Sequence, residues 1–181
     1  VEYTRNIIKN FYYFGYKEVL SFKFSKCKAN TINDTNIEKT ILIAGHTYGI
    51  ADHTNNATYP KLLYALEAET KKNFSEHVKV DTLILAGDIV KEARIKNFLE
   101  VEEKLKKFTH KLLVAPGNHD YGPKVLGNEQ NQTDFIKVFK KTFQKFVIEN
   151  NLFLILDTAT NTGNITEEQI SFIKKELDEV N

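Results

Sequence analysis

The sequence predicts a layered α/β sandwich whose central sheet is mixed or partly parallel. Two observations carry this. Four short apolar runs each end in a polar turn: TILIAG (40–45), VDTLILAGDIV (80–90), KLLVAPGNHD (111–120) and NLFLILDTA (151–159). Continuous apolar runs of that length suit strands covered on both faces. Between and after them lie four stretches with helical spacing of apolar residues, so the chain reads β-α-β-α-β-α-β-α. At 181 residues, 41% of them hydrophobic and 12% aromatic, the chain has enough apolar surface for one domain core.

The elements follow in chain order. In residues 6–26, the second half alternates Leu20, Phe22 and Phe24 with Ser21 and Lys23, which predicts an edge or amphipathic strand. The first half places Ile7, Ile8, Phe11 and Tyr12 near one helical face. A helix, a membrane-surface contact and an element covering a sheet edge all fit it, and the last is preferred. The polar, Asn-rich stretch 28–40 suits a linker. Residues 60–74 show helix spacing at Leu63, Leu66 and Thr70 behind Pro60. Residues 91–108 predict a helix with a stripe of Ile95, Leu99, Glu102 and Leu105 beside Phe98. Residues 133–149 predict another, with Phe135, Val138, Phe139, Phe143 and Phe146 on its apolar face. Residues 164–180 open with a capping-box pair, Thr166 and Gln169. The loops 46–59 and 120–132 are long for this class, which favours functional use.

Charge and composition exclude several classes. Twenty-five Lys and Arg against 24 Asp and Glu leave a net charge of +1, without the basic excess that stable nucleic-acid binding needs. No run of 18 apolar residues is present, so no transmembrane span is expected. Cys27 is alone, which excludes an intrachain disulfide framework. Cytoplasmic and exported locations both stay open, since a start at Val1 leaves room for a removed leader. Sequons at Asn33, Asn56, Asn73, Asn131 and Asn164 are what an Asn-rich chain yields by chance. Oligomeric state is unspecified.

In open α/β sheets, ligands gather beyond the carboxyl ends of the strands. Here those ends carry His46, Thr47 and Tyr48, then Asp88, then Asn118, His119 and Asp120, then Asp157. Imidazole nitrogen, carboxylate oxygen and amide oxygen all suit Mn²⁺, Zn²⁺ or Fe. A carboxylate such as that of Asp88 can bridge two ions, which would clamp a phosphoryl group and activate water. His119 beside Asp120 offers an acid with an orienting carboxylate.

LILAGDIV and VAPGNHDYG closely resemble the second and third motifs of the calcineurin-like metallophosphoesterases, and the resemblance covers about residues 40–181. It implies an α/β/β/α-type sandwich, with residues 1–39 as an N-terminal extension or covering element plus linker. Residues 40–181 would be the N-terminal part of the domain, incomplete at the C-terminus because the family's later His and Gly-His-x-His fall beyond Asn181. The implied activity is hydrolysis of a phosphomonoester or phosphodiester on a small molecule or macromolecule. Two divalent ions (Mn, Fe or Zn) are implied, with Asp88 bridging, Asn118 on the second metal, His119 contacting phosphate and assisting the leaving group, and Asp120 holding the His119 ring. The first motif departs from the family's Asp-x-His. Aligned on its glycines, ILIAGHTYG puts His46 in the metal-binding Asp position and Tyr48 in the His position. The other register sets Ala44 opposite the Asp and His46 opposite the His; the glycine alignment is preferred because it keeps Gly49 and the strand length. His46 removes one negative charge, which predicts a single or weakly held ion. It also opens an alternative, a degenerate member that binds a phosphorylated ligand or partner protein. Tyr48 would be a ligand if ionised, a donor to phosphate, or a packing group. The loop 121–133 with Lys124 is the expected selectivity element, and His53 a candidate recruit from the first long loop.

Overall fold

A computed structural model describes residues 7–14, 17–24, 39–48, 60–70, 79–122, 129–148, 151–159 and 163–179. The central sheet holds β1 (Ile7–Phe14), β2 (Lys17–Phe24), β3 (Lys39–Ala44), β4 (Val80–Ala86) and β5 (Thr109–Ala115), in that spatial order. The first three pair antiparallel and the last three parallel, so the sheet is mixed as expected. Both halves of the aromatic N-terminal stretch are strands. The helix considered for its first half is therefore corrected: β1 is a hairpin partner of β2, which adds to the free edge of β3.

Period-two alternation divides the parallel strands between two cores. Leu42, Ala44, Leu83, Leu85 and Val114 point to one side. There they meet Leu62 and Leu66 of α1 (Pro60–Thr70), Phe98, Val101 and Leu105 of α2 (Ile95–Leu105), and Phe135 and Val138 of α3 (Glu129–Phe139). Ile41, Ile84 and Leu113 point the other way, onto Phe146 of β6 (Gln144–Ile148) and Ile155 of β7 (Asn151–Ile155). β6 and β7 form their own antiparallel two-stranded sheet. Lys145 alternates with Phe146 and so leaves the opposite face of β6, where it pairs with Glu176 and Glu179 at the end of α4 (Glu167–Asp178). The order is helices, sheet, sheet, helix, which is the α/β/β/α layering.

Three sequence expectations change in the folded chain. The fourth strand, β7, lies in the second sheet and not in the parallel one. The helix expected over 133–149 ends at Phe139, where Lys140 takes φ 71 and its N–H closes on the Ile136 carbonyl at 2.8 Å. Phe143 and Phe146 are three apart and satisfy helical spacing, but Phe146 and Ile148 equally satisfy the alternation of β6. The α2 stripe is rotated: Asn97, Phe98, Val101 and Leu105 are buried, whereas Ile95 and Leu99 are exposed. Asn97 tolerates burial because its Nδ2 donates to the Glu92 carbonyl at 2.8 Å.

Candidate active site

The three parallel strands end together, and hydrogen bonding continues past their ends. Gly87 N–H donates to the Ala115 carbonyl at 3.1 Å, His46 N–H to Gly87 at 3.0 Å, and Thr47 N–H to Asp88 at 2.8 Å. This clamps the three turns side by side. His46 and Asp88 both take positive φ, 52 and 55, a conformation disfavoured for residues with a Cβ. Such strain clusters where a fold must aim a side chain.

The aim is mutual. His46 Nδ1 stands 3.0 Å from Asp88 Oδ2, and Asp88 Oδ1 accepts the His119 N–H at 3.1 Å. Tyr48 lies between the two imidazoles, with ring centroids 4.6 Å from His46 and 4.9 Å from His119. Its hydroxyl is 3.4 Å from His119 Nε2. Burial first, then the charges of Asp88 and Asp120, raise the Tyr48 phenol above its ordinary value of 10.0.

His46, Asp88 and Asn118 line one open pocket of about 350 Å³, together with Gly117, Leu156 and Thr158. A neighbouring cavity of about 340 Å³ shares Asn118 and is lined by His119, Lys91, Glu92 and Arg94. The candidates His46, Asp88, Asn118 and His119 are thus brought to one rim. Two of the other strand-end carboxylates are not. Asp120 is fully buried, and its carboxylate accepts N–H groups from Gly117 at 2.7 Å, Ile89 at 3.0 Å and Val90 at 3.1 Å. The expectation that Asp120 holds the His119 ring is corrected: His119 Nδ1 faces the Lys91 carbonyl at 3.3 Å, and Asp120 ties the β4 turn to the β5 turn. Desolvation pushes the Asp120 carboxyl up to about 7, against the pull of the Gly117, Val90 and Ile89 hydrogen bonds and with a contribution from the Asp88 charge. Asp157 is also buried; it accepts the Tyr121 hydroxyl at 2.6 Å. The pocket wall after β7 comes from Leu156, Thr158 and Ala159, which sequence reasoning missed although they follow a strand end. Lys91 and Arg94 were missed too, because they lie past the Gly-Asp turn in what reads as helix. Lys124 and His53 lie outside the described residues.

His46, Asp88 and Asn118 are the donors this pocket would offer a divalent cation. Two ligands about 2.1 Å from an octahedral ion stand about 3.0 Å apart on adjacent vertices. His46 Nδ1 and Asp88 Oδ2 have that separation, and Asn118 lines the same pocket. Among the described residues no group of three or more His, Cys, Asp or Glu side chains gathers around a common point.

A sequence model of the calcineurin-like phosphoesterases matches residues 32–179. No curated protein and no solved structure gives a significant match. The family match runs through every strand end that builds the pocket and spans most of the chain, and on that ground the protein belongs to the calcineurin-like phosphoesterase family.

Proposed function

We propose that this chain hydrolyses a phosphomonoester or phosphodiester in the pocket between the β3, β4 and β5 turns, with a divalent cation held by His46, Asp88 and Asn118. Family membership supports metal-dependent phosphoester hydrolysis as the class. The observation that carries the reading is the 3.0 Å approach of His46 Nδ1 to Asp88 Oδ2 on the rim that Asn118 completes. A bound divalent ion supplies a water of lowered pKa and draws charge from phosphoryl oxygens. The chain's own residues do the rest. Asp88 is held by the His119 N–H on one oxygen, so its other oxygen keeps a fixed direction. His119 lines the second cavity, next to Asn118, which lines both, and would meet the leaving group there. Lys91 and Arg94 put positive charge on the second cavity, which favours a leaving group that is itself anionic; Glu92 pairs with Arg94 at 3.1 Å and moderates that preference.

The test is turnover of 4-nitrophenyl phosphate and bis(4-nitrophenyl) phosphate with Mn²⁺ or Zn²⁺, in the wild-type chain and in Asp88→Asn. Removing the Asp88 carboxylate from the pocket lining should reduce kcat/KM by roughly 100-fold or more. Metal-independent turnover, or turnover untouched by the substitution, defeats the reading.

A second reading, a binding module for a phosphorylated ligand or partner protein, draws on His46 and Tyr48 in place of an Asp and a His. It expects micromolar binding of inorganic phosphate or a phosphopeptide with no turnover at any metal concentration.

A further inference from the structure

We propose that Tyr48 is a positioning residue for His119: its hydroxyl caps Nε2 and holds the imidazole in the Nδ1–H tautomer. Only the kinetic consequence rests on the phosphoesterase reading; the tautomer is a property of the chain itself.

The inference starts from what each ring nitrogen faces. His119 Nδ1 is 3.3 Å from the Lys91 carbonyl oxygen. A carbonyl only accepts, so a hydrogen bond there needs the ring proton on Nδ1. A neutral imidazole has one such proton, which leaves a lone pair on Nε2. The group at Nε2 is the Tyr48 hydroxyl, 3.4 Å away, and it can donate. Both contacts are long, as catalytic hydrogen bonds commonly are before a ligand tightens them.

Tyr48 is well placed for this. Its N–H is tied to the Asp88 carbonyl at 3.3 Å, and its ring packs between His46 and His119. His119 is tied to the same Asp88 through its own N–H. The Tyr48 side chain is thereby turned toward His119. The proton between the two rings is then the Tyr48 hydroxyl's.

The experiment is long-range ¹H–¹⁵N correlation of the full chain with ¹⁵N-labelled histidine, metal-free and in alkaline buffer, with His119→Gln assigning the signals. The wild-type chain should show His119 as the Nδ1–H tautomer. Tyr48→Phe keeps the ring and removes only the hydroxyl, so the other histidines report an intact fold. In that variant the His119 Nε2 signal should shift and the two tautomers should mix. With a phosphoester substrate, kcat should fall roughly 3- to 10-fold, the worth of one hydrogen bond, with KM little changed. An Nε2–H tautomer in the wild type, or a His119 spectrum unmoved by Tyr48→Phe, overturns the proposal. Absence of turnover in both proteins defeats the phosphoesterase reading alone, and the spectra still decide this one.

Discussion

Gly117 has no room for a side chain. A Cβ there would stand 2.3 Å from both the backbone nitrogen and Oδ1 of Asp88. The Gly in Gly-Asn-His-Asp is therefore what lets the β5 turn press against the Asp88 carboxylate, so that His119 N–H can reach it. Gly117→Ala should push Asp88 away, destabilise the chain by about 1–3 kcal/mol as overpacking does, and weaken metal binding roughly 10- to 100-fold. Urea melts and a Zn²⁺ titration read the two effects, and a variant with unchanged metal affinity would remove Asp88 from the site. At this scale the residue types were legible in the sequence, because Gly-Asp and Gly-Asn-His-Asp are local words. The partner of each side chain was not. Asp120 looks like the companion of its neighbour His119, yet it bonds to Ile89 and Val90, 31 and 30 positions away.

Among the elements, α4 shows how a helix is held by something other than its own pattern. Thr166 caps it as expected, accepting the Gln169 N–H at 3.3 Å. The reciprocal half of a capping box would send the Gln169 side chain to the Thr166 N–H. Instead, Gln169 is buried and grips the backbone after β7: its Oε1 accepts the Asp157 N–H at 2.8 Å and its Nε2 donates to the Asp157 carbonyl at 2.9 Å. The next residues, Thr158 and Ala159, line the pocket. Gln169→Ala should leave two buried backbone groups unpaired, lower stability by about 1–3 kcal/mol, and loosen the pocket wall, read as a rise in KM. A melting curve that does not move would show water or a shifted side chain replacing both bonds. Helices α1 and α2 and strands β3 to β5 were legible as elements, although the period of α2 did not reveal which face is buried. The boundary of α3 was not, since Phe143 and Phe146 serve two periods at once and the stop at Lys140 is a backbone event, φ 71, that a lysine does not announce.

At the scale of the whole molecule, one buried acid, Asp120, joins the β4 turn to the β5 turn beside the pocket. The Asp120 carboxyl sits at about 7 in the folded chain against an ordinary value of 3.8, so the folded state holds its proton over a range where the unfolded state has lost it. The sign follows: this group's contribution to stability falls as pH rises from about 4 to about 7 and is flat on either side. The exposed pair of Lys145 and Glu179 acts in the opposite sense, since Lys145 holds the Glu179 carboxyl below its ordinary value, and that support is lost as pH falls. Urea melts of the wild type and Asp120→Asn across this range separate the two. The difference between the proteins should vary with pH for the wild-type carboxyl and be constant below about pH 4; a difference that ignores pH would contradict it.

The amino-acid sequence by itself determined the four apolar runs, the polar turns that end them, the α/β layering and the motifs that mark the family. These are set by neighbours along the chain: side-chain period, glycine in a turn, residue type. Only the tertiary structure decided that β7 joins β6 in a second sheet, that an aromatic hairpin closes the β3 edge, and that His46 meets Asp88 while Tyr48 meets His119. Those outcomes turn on which buried polar groups find partners across separate strands, and burial and hydrogen bonding between distant residues come into being only when the layers close.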